Sequence, residues 1–202
     1  MQTVFELCKP RDSVFLDTTR DDVLNLSDLV EGRIDADKFF GENFKTKGME
    51  ILFETAFKRF QGKSDTGVIK LTQAMGGGKT HNMLALALLA QNPTWRRKLL
   101  GRDYDDVSDI RVVAFSGRES DAPYGIWGSI AEQLGKKELF SDLYAPLKAP
   151  GENAWVNLLK GQNILILMDE LPPYLENAKS ITVGNSDLCK VTITALSNLF
   201  TA

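Results

Sequence analysis

The run Asn163-Ile164-Leu165-Ile166-Leu167-Met168 is apolar at every position after the first and stops abruptly at Asp169-Glu170. A strand that alternates apolar and polar residues can leave one face to water; one that is apolar throughout cannot. Such a strand belongs in a parallel sheet covered by helices on both faces, which makes the fold class α/β. Its position also says where chemistry would sit. Open parallel sheets bind ligands beyond the carboxyl ends of their strands, and Asp169 and Glu170 stand at that end.

A second feature fits the same sheet. Gly67-Val68-Ile69-Lys70-Leu71-Thr72 reads as a short β run, and Asn82 to Ala90 as a strongly apolar helical run. Between them lies Met75-Gly76-Gly77-Gly78-Lys79-Thr80-His81. Strand, glycine loop closing on Gly-Lys-Thr, then helix is the arrangement that binds nucleotide phosphates. Glycines let backbone N–H groups turn toward an anion, and the helix start adds unpaired N–H groups and the positive end of its dipole. Lys79 is placed to neutralise β- and γ-phosphates, and the Thr80 hydroxyl to ligate Mg²⁺. The full pattern has a further glycine five residues before Gly78, where this chain carries Gln73. A glycine turn ahead of a core helix is the plainer alternative. The acidic strand end decides against it: loop and Asp169-Glu170 together read as a P-loop NTPase.

Composition agrees with that reading. The chain has 202 residues, 43% hydrophobic and 25% charged, as in an ordinary soluble globular domain. The longest apolar run, Met83 to Ala90, is too short to cross a bilayer, and the N-terminus has no secretion signal. Cys8 and Cys189 are isolated and there is one histidine, so no zinc cluster is expected, and the chain reads as reduced and cytoplasmic. A net charge of −3 argues against a broad nucleic-acid surface in this segment. Arg96-Arg97-Lys98 reads as a solvated helix end, and the acidic stretch 103–109 as an exposed loop.

The remaining pattern divides the chain into a lead-in with a helix packed on the core (1–62) and an NTPase part (63–202). Met49, Phe53, Phe57 and Phe60 form one apolar stripe, predicting a helix from Met49 to Phe60 that stops at Gly62. A second strand is expected at 110–115, ending in Ser116-Gly117-Arg118, with helices at 125–134, about 150–162 and 187–201. Arg118 ends that strand near the site; a surface arginine is its simpler reading, a phosphate contact the other. Asn185 and Ser186 read equally as turn residues or as a polar loop approaching the nucleotide.

The order strand–loop–helix–strand–helix–strand–helix resembles that of the additional-strand P-loop ATPases, including the AAA+ proteins. The resemblance implies a three-layer sandwich with sheet order 5-1-4-3-2, in which a strand not found in this sequence lies between the phosphate-loop strand and the Asp-Glu strand. These residues are therefore expected to be the N-terminal part of a larger protein. Gly48-Met49, the loop 75–81 and Asp169-Glu170-Leu171-Pro172-Pro173-Tyr174 are more narrowly similar to a bacterial and archaeal family of long AAA+-like ATPases encoded beside DNA methyltransferases and anti-phage defence genes. That likeness implies defence or DNA-modification partners and, as in AAA+ proteins, ATP sites shared between subunits of a homo-oligomer.

The expected roles follow. Gly76, Gly77 and Gly78 cradle phosphates with their amides; Lys79 bridges the β- and γ-groups; Thr80 and Asp169 hold Mg²⁺; Glu170 orients and deprotonates the attacking water. His81 is a candidate at the helix start, where packing is the commoner use of a lone histidine. The leading function is ATP binding with Mg-dependent hydrolysis. A nucleotide-gated switch with negligible turnover, or a P-loop kinase, are the alternatives.

Overall fold

The computed structural model describes residues 3, 8, 24–72, 76–118 and 121–202; Gln73, Met75 and the apolar piece at 14–16 lie outside them. The lead-in forms α1 (Leu26–Val30), α2 (Ala36–Glu42) and α3 (Lys47–Phe60). Each starts at a side-chain cap. Asn25 and Asp28 make a reciprocal box, the Asp28 N–H donating to Asn25 Oδ1 and the Asn25 N–H to Asp28 Oδ2, both at 2.9 Å. A helix of five residues has few other bonds to hold its start. Asn25→Ala should therefore cost about 1 kcal/mol, read as a small fall in thermal midpoint; an unchanged midpoint would show that tertiary packing alone holds α1.

In α3 the stripe points inward as the spacing predicts. Phe53 and Phe57 are fully buried, and burial of a phenylalanine contributes about 1.5–3 kcal/mol. Gly62 follows with φ +69, the left-handed stop that glycine adopts most easily.

Next come α4 (Lys79–Gln91) and α5 (Pro93–Leu100). Every residue of α4 from Met83 to Ala90 is buried, so the helix is enclosed on all sides. Asn92 ends α4 and caps α5, accepting from the Trp95 N–H at 3.1 Å, with Pro93 in the first turn where its missing N–H costs nothing.

Strands β1 (Ile110–Ser116) and β2 (Asn163–Asp169) pair in parallel, from Ile110 opposite Asn163 to Ser116 opposite Asp169. Between them run α6 (Gly125–Gln133), a 3₁₀ segment (Lys137–Leu143) and α7 (Glu152–Leu159). After β2 come α8 (Leu171–Ala178), a hairpin of β3 (Thr182–Val183) and β4 (Ser186–Asp187), and α9 (Leu188–Thr201).

Side chains alternate across the sheet with the period of two that strands impose. Ile110, Val112 and Ala114, with Leu165 and Leu167, join the core made by α1 to α5. Val113 and Phe115, with Ile164, Ile166 and Met168, join the core made by α6 to α9. Helices thus cover both faces, which is why β2 has no polar side.

The outer edge of β1 is closed by a side chain. Gln133 accepts from the Ala114 N–H at 3.0 Å and donates from its own amide to the Ala114 carbonyl at 2.8 Å. A primary amide thereby supplies the donor and acceptor that a neighbouring strand would offer.

Two expectations are corrected, and one element is new. The strand expected at 67–72 is not in either sheet, and Val68 and Ile69 are exposed. An extended segment becomes a strand only beside a partner, and no described strand lies next to this one; in the implied order a further strand would separate it from β2. Arg96 is not a solvated helix end. It is 4% exposed, with its guanidinium donating to the Val107 carbonyl at 3.0 Å and lying 5.3 Å from the Phe57 ring centroid, so it ties the acidic loop to the core. The hairpin at 182–187 was not expected; Gly184, at φ +58, supplies the positive dihedral its two-residue turn needs. Among the described residues no helix is long and apolar enough to cross a membrane.

Candidate active site

The glycine loop reaches α4 through two left-handed residues, Gly76 at φ +76 and Gly78 at φ +75. A Cβ on Gly76 would meet nothing within 4 Å, and one on Gly78 only the His81 Cβ at 4.0 Å. Glycine is required here by backbone conformation, not by space. Gly78 is also the N-cap of α4 and provides no side-chain acceptor, so the first-turn N–H groups have no capping oxygen from it. Lys79 and Thr80 begin the helix at half-buried positions.

Thr80 meets the end of β2. Its Oγ1 donates to Oδ2 of Asp169, a residue 89 positions further along the chain. The other carboxylate oxygen, Oδ1, accepts the Glu170 N–H at 2.9 Å, and the Asp169 carbonyl accepts the Gly117 N–H at 3.0 Å. A hydroxyl and a carboxylate in contact are two hard oxygen donors, which suits Mg²⁺, a cation that keeps several waters and takes few protein ligands.

Glu170 occupies a strained backbone position. Its φ of 52 and ψ of 37 lie in the left-handed region, which costs a non-glycine residue roughly 1–2 kcal/mol. Four neighbours hold it there. Asp169 accepts its N–H; Pro172 and Pro173 fix the first turn of α8, for which Glu170 is the N-cap; and Tyr174, buried with its ring edge-on to Phe115 at 5.3 Å, anchors α8. The Glu170 carboxylate lies 3.4 Å from Arg118 Nε.

Gly117 was not singled out from sequence. A Cβ there would lie 2.2 Å from the Glu170 carbonyl oxygen and 2.9 Å from Tyr174 Cβ, so the turn after β1 presses its backbone against the acidic strand end. The available signal was a glycine directly after an apolar strand, at the carboxyl edge of the expected sheet. The sequence also offered Arg118 as a surface arginine; its placement gives it Glu170 as a partner.

The model of the DUF499 N-terminal domain matches residues 5–111 and 118–202. The chain belongs to the DUF499 family. No curated protein matches it, and no solved structure does. The two matched stretches carry side chains that meet at the end of β2: Thr80 in the first, Arg118, Asp169 and Glu170 in the second.

One named residue of the DUF499 chain faces elsewhere. The His81 imidazole stacks on Phe39 of α2, centroids 4.7 Å apart and planes 24° apart. Burial pushes its pKa below the usual histidine value. The ring therefore belongs to the packing of the lead-in against α4. The polar loop residues Asn185 and Ser186 lie in the hairpin, with Ser186 in β4.

Proposed function

We propose that this DUF499 chain binds Mg-ATP at the loop 76–80 and hydrolyses it, in keeping with the P-loop reading of its sequence. The observation that supports this most is the Thr80–Asp169 contact. Threonine after lysine at a helix start, in touch with an aspartate at a strand end, is a pair of Mg²⁺ ligands already assembled.

In this reading the amides of Gly76, Gly77 and Gly78 and the start of α4 receive the phosphates, and Lys79 balances charge on the β- and γ-groups. The bound Mg²⁺ would supply charge neutralisation across the phosphate oxygens. Glu170 accepts a proton from water while the water oxygen bonds to the γ-phosphorus. The bond from that phosphorus to the β–γ bridging oxygen breaks, leaving ADP and inorganic phosphate. The AAA+ resemblance adds a sandwich fold completed by further strands, subunit-shared sites and partners in defence or DNA modification. The nucleotide-switch alternative uses the same pocket without turnover.

The test is titration of ATP into the chain by calorimetry, with and without Mg²⁺. The expected result is Mg-dependent binding that weakens about tenfold or more in Asp169→Asn, since one charge-assisted ligand is lost. Binding indifferent to both Mg²⁺ and Asp169 would sink the assignment of the metal pair, and no binding at all would sink the reading.

A further inference from the structure

The first turn of α4 carries Lys79 and Thr80, and two contacts reach it from different elements. Thr80 meets Asp169 at the end of β2, and His81 stacks on Phe39 of α2. The loop ahead of that turn has little to fix it. Gly76 and Gly78 both sit at positive φ, Gly78 offers no side-chain cap, and glycine loses more freedom on ordering than any other residue. By contrast, α2 is firmly seated. Phe39 is 3% exposed, and Phe40 packs on Trp95 with ring centroids 5.0 Å apart. The Trp95 indole N–H donates to Asp37 Oδ1 at 2.6 Å, and the Asn43 side-chain amide donates to the Phe39 carbonyl at 2.7 Å. The lead-in helix thus braces the start of α4 against α5.

We infer that Phe39 is a positioning residue for the phosphate loop: through its stack on His81 it holds the first turn of α4, and so makes ATP affinity depend on the docking of α2. This rests on the ATP-binding reading above. In that reading Thr80 and Asp169 are committed to Mg²⁺, so their mutual contact cannot also fix the turn once nucleotide is bound. The Phe39–His81 stack is untouched by that exchange. A turn already in place spares the ligand the cost of ordering it, which raises affinity without any new contact. The effect falls on binding and not on the chemical step, because bound phosphates hold the loop themselves. Linkage makes the coupling reciprocal. If docked α2 strengthens ATP binding by some factor, ATP strengthens the docking of α2 by the same factor.

The experiment measures Mg-ATP affinity by calorimetry, and steady-state turnover, for the parent chain, Phe39→Ala, His81→Ala, His81→Phe and the double variant Phe39→Ala/His81→Ala. Phe39→Ala and His81→Ala should each weaken binding about two- to tenfold, the range set by one aromatic pair, with kcat unchanged. The double variant should bind no more weakly than either single one, since both remove the same contact. His81→Phe keeps a ring on Phe39 and should retain parental affinity. Hydrogen exchange gives a readout apart from turnover: amides of α2 should exchange more slowly when Mg-ATP is added to the parent, and this slowing should shrink in His81→Ala. Phe39 is buried, so Phe39→Ala can fail to fold; the two His81 variants then carry the test by themselves. Parental affinity in His81→Ala, a loss confined to kcat, or α2 exchange indifferent to Mg-ATP would each overturn the proposal. So would His81→Phe binding as weakly as His81→Ala, which would make the imidazole a ligand contact. Failure of the ATP reading is distinct: the parent chain itself would bind no Mg-ATP.

Discussion

Glu170→Gln is expected to slow ATP hydrolysis by about 10²- to 10⁴-fold, the usual contribution of a positioned general base, while leaving ATP binding intact. Glutamine has nearly the same shape, so the left-handed cap of α8 and its N–H bond to Asp169 survive. What disappears is the carboxylate that takes the proton from water in the proposed hydrolysis. Turnover and equilibrium binding measured on the same preparation check this. Three outcomes separate the candidate functions. A large loss of turnover with retained binding fits a hydrolase. Negligible turnover before and after the substitution fits a nucleotide-gated switch. Phosphate delivered to an added acceptor, and not to water, fits a kinase.

Gly117→Ala should damage both stability and turnover, although no functional group is removed. Its new Cβ would sit 2.2 Å from the Glu170 carbonyl oxygen, a backbone atom that cannot swing aside. Overpacking of that kind costs about 1–3 kcal/mol. For a chain of this size that corresponds to a fall in melting temperature on the order of 2–12 °C. Relief of the clash must move β1's turn or the strand end. A shift of about 1 Å in a catalytic group can cost roughly a hundredfold in rate. Scanning calorimetry and an ATPase assay read the two effects. A melting temperature and rate equal to the parent's would mean that the turn has slack, and that the pressed backbone contact does not position Glu170.

Much of this was legible in the sequence, because the strongest signals were periodicities that belong to one segment. The stripe Met49-Phe53-Phe57 specified α3, and the unbroken run 163–168 specified a strand covered on both sides, as β2 is. The meeting of Thr80 with Asp169 was legible too, from residue types at a helix start and a strand end. What failed depended on partners. Residues 67–72 have strand composition, but a strand is a pairwise object and no described strand pairs with this segment. Arg96 looked like surface because charge usually is; its burial depends on the Val107 carbonyl and the Phe57 ring, which no local pattern announces. Gly117 was missed for the same reason: its requirement comes from Glu170 across the sheet.

The amide of Gln133 gives the sheet a direction of growth. With the far side of β1 blocked at Ala114, the edge of this sheet left open among the described residues is that of β2. Whichever chain it comes from, a strand laid there parallel to β2 delivers its final residues next to Asp169. One glutamine on α6 thus steers enlargement of the sheet toward the strand whose end carries the candidate site.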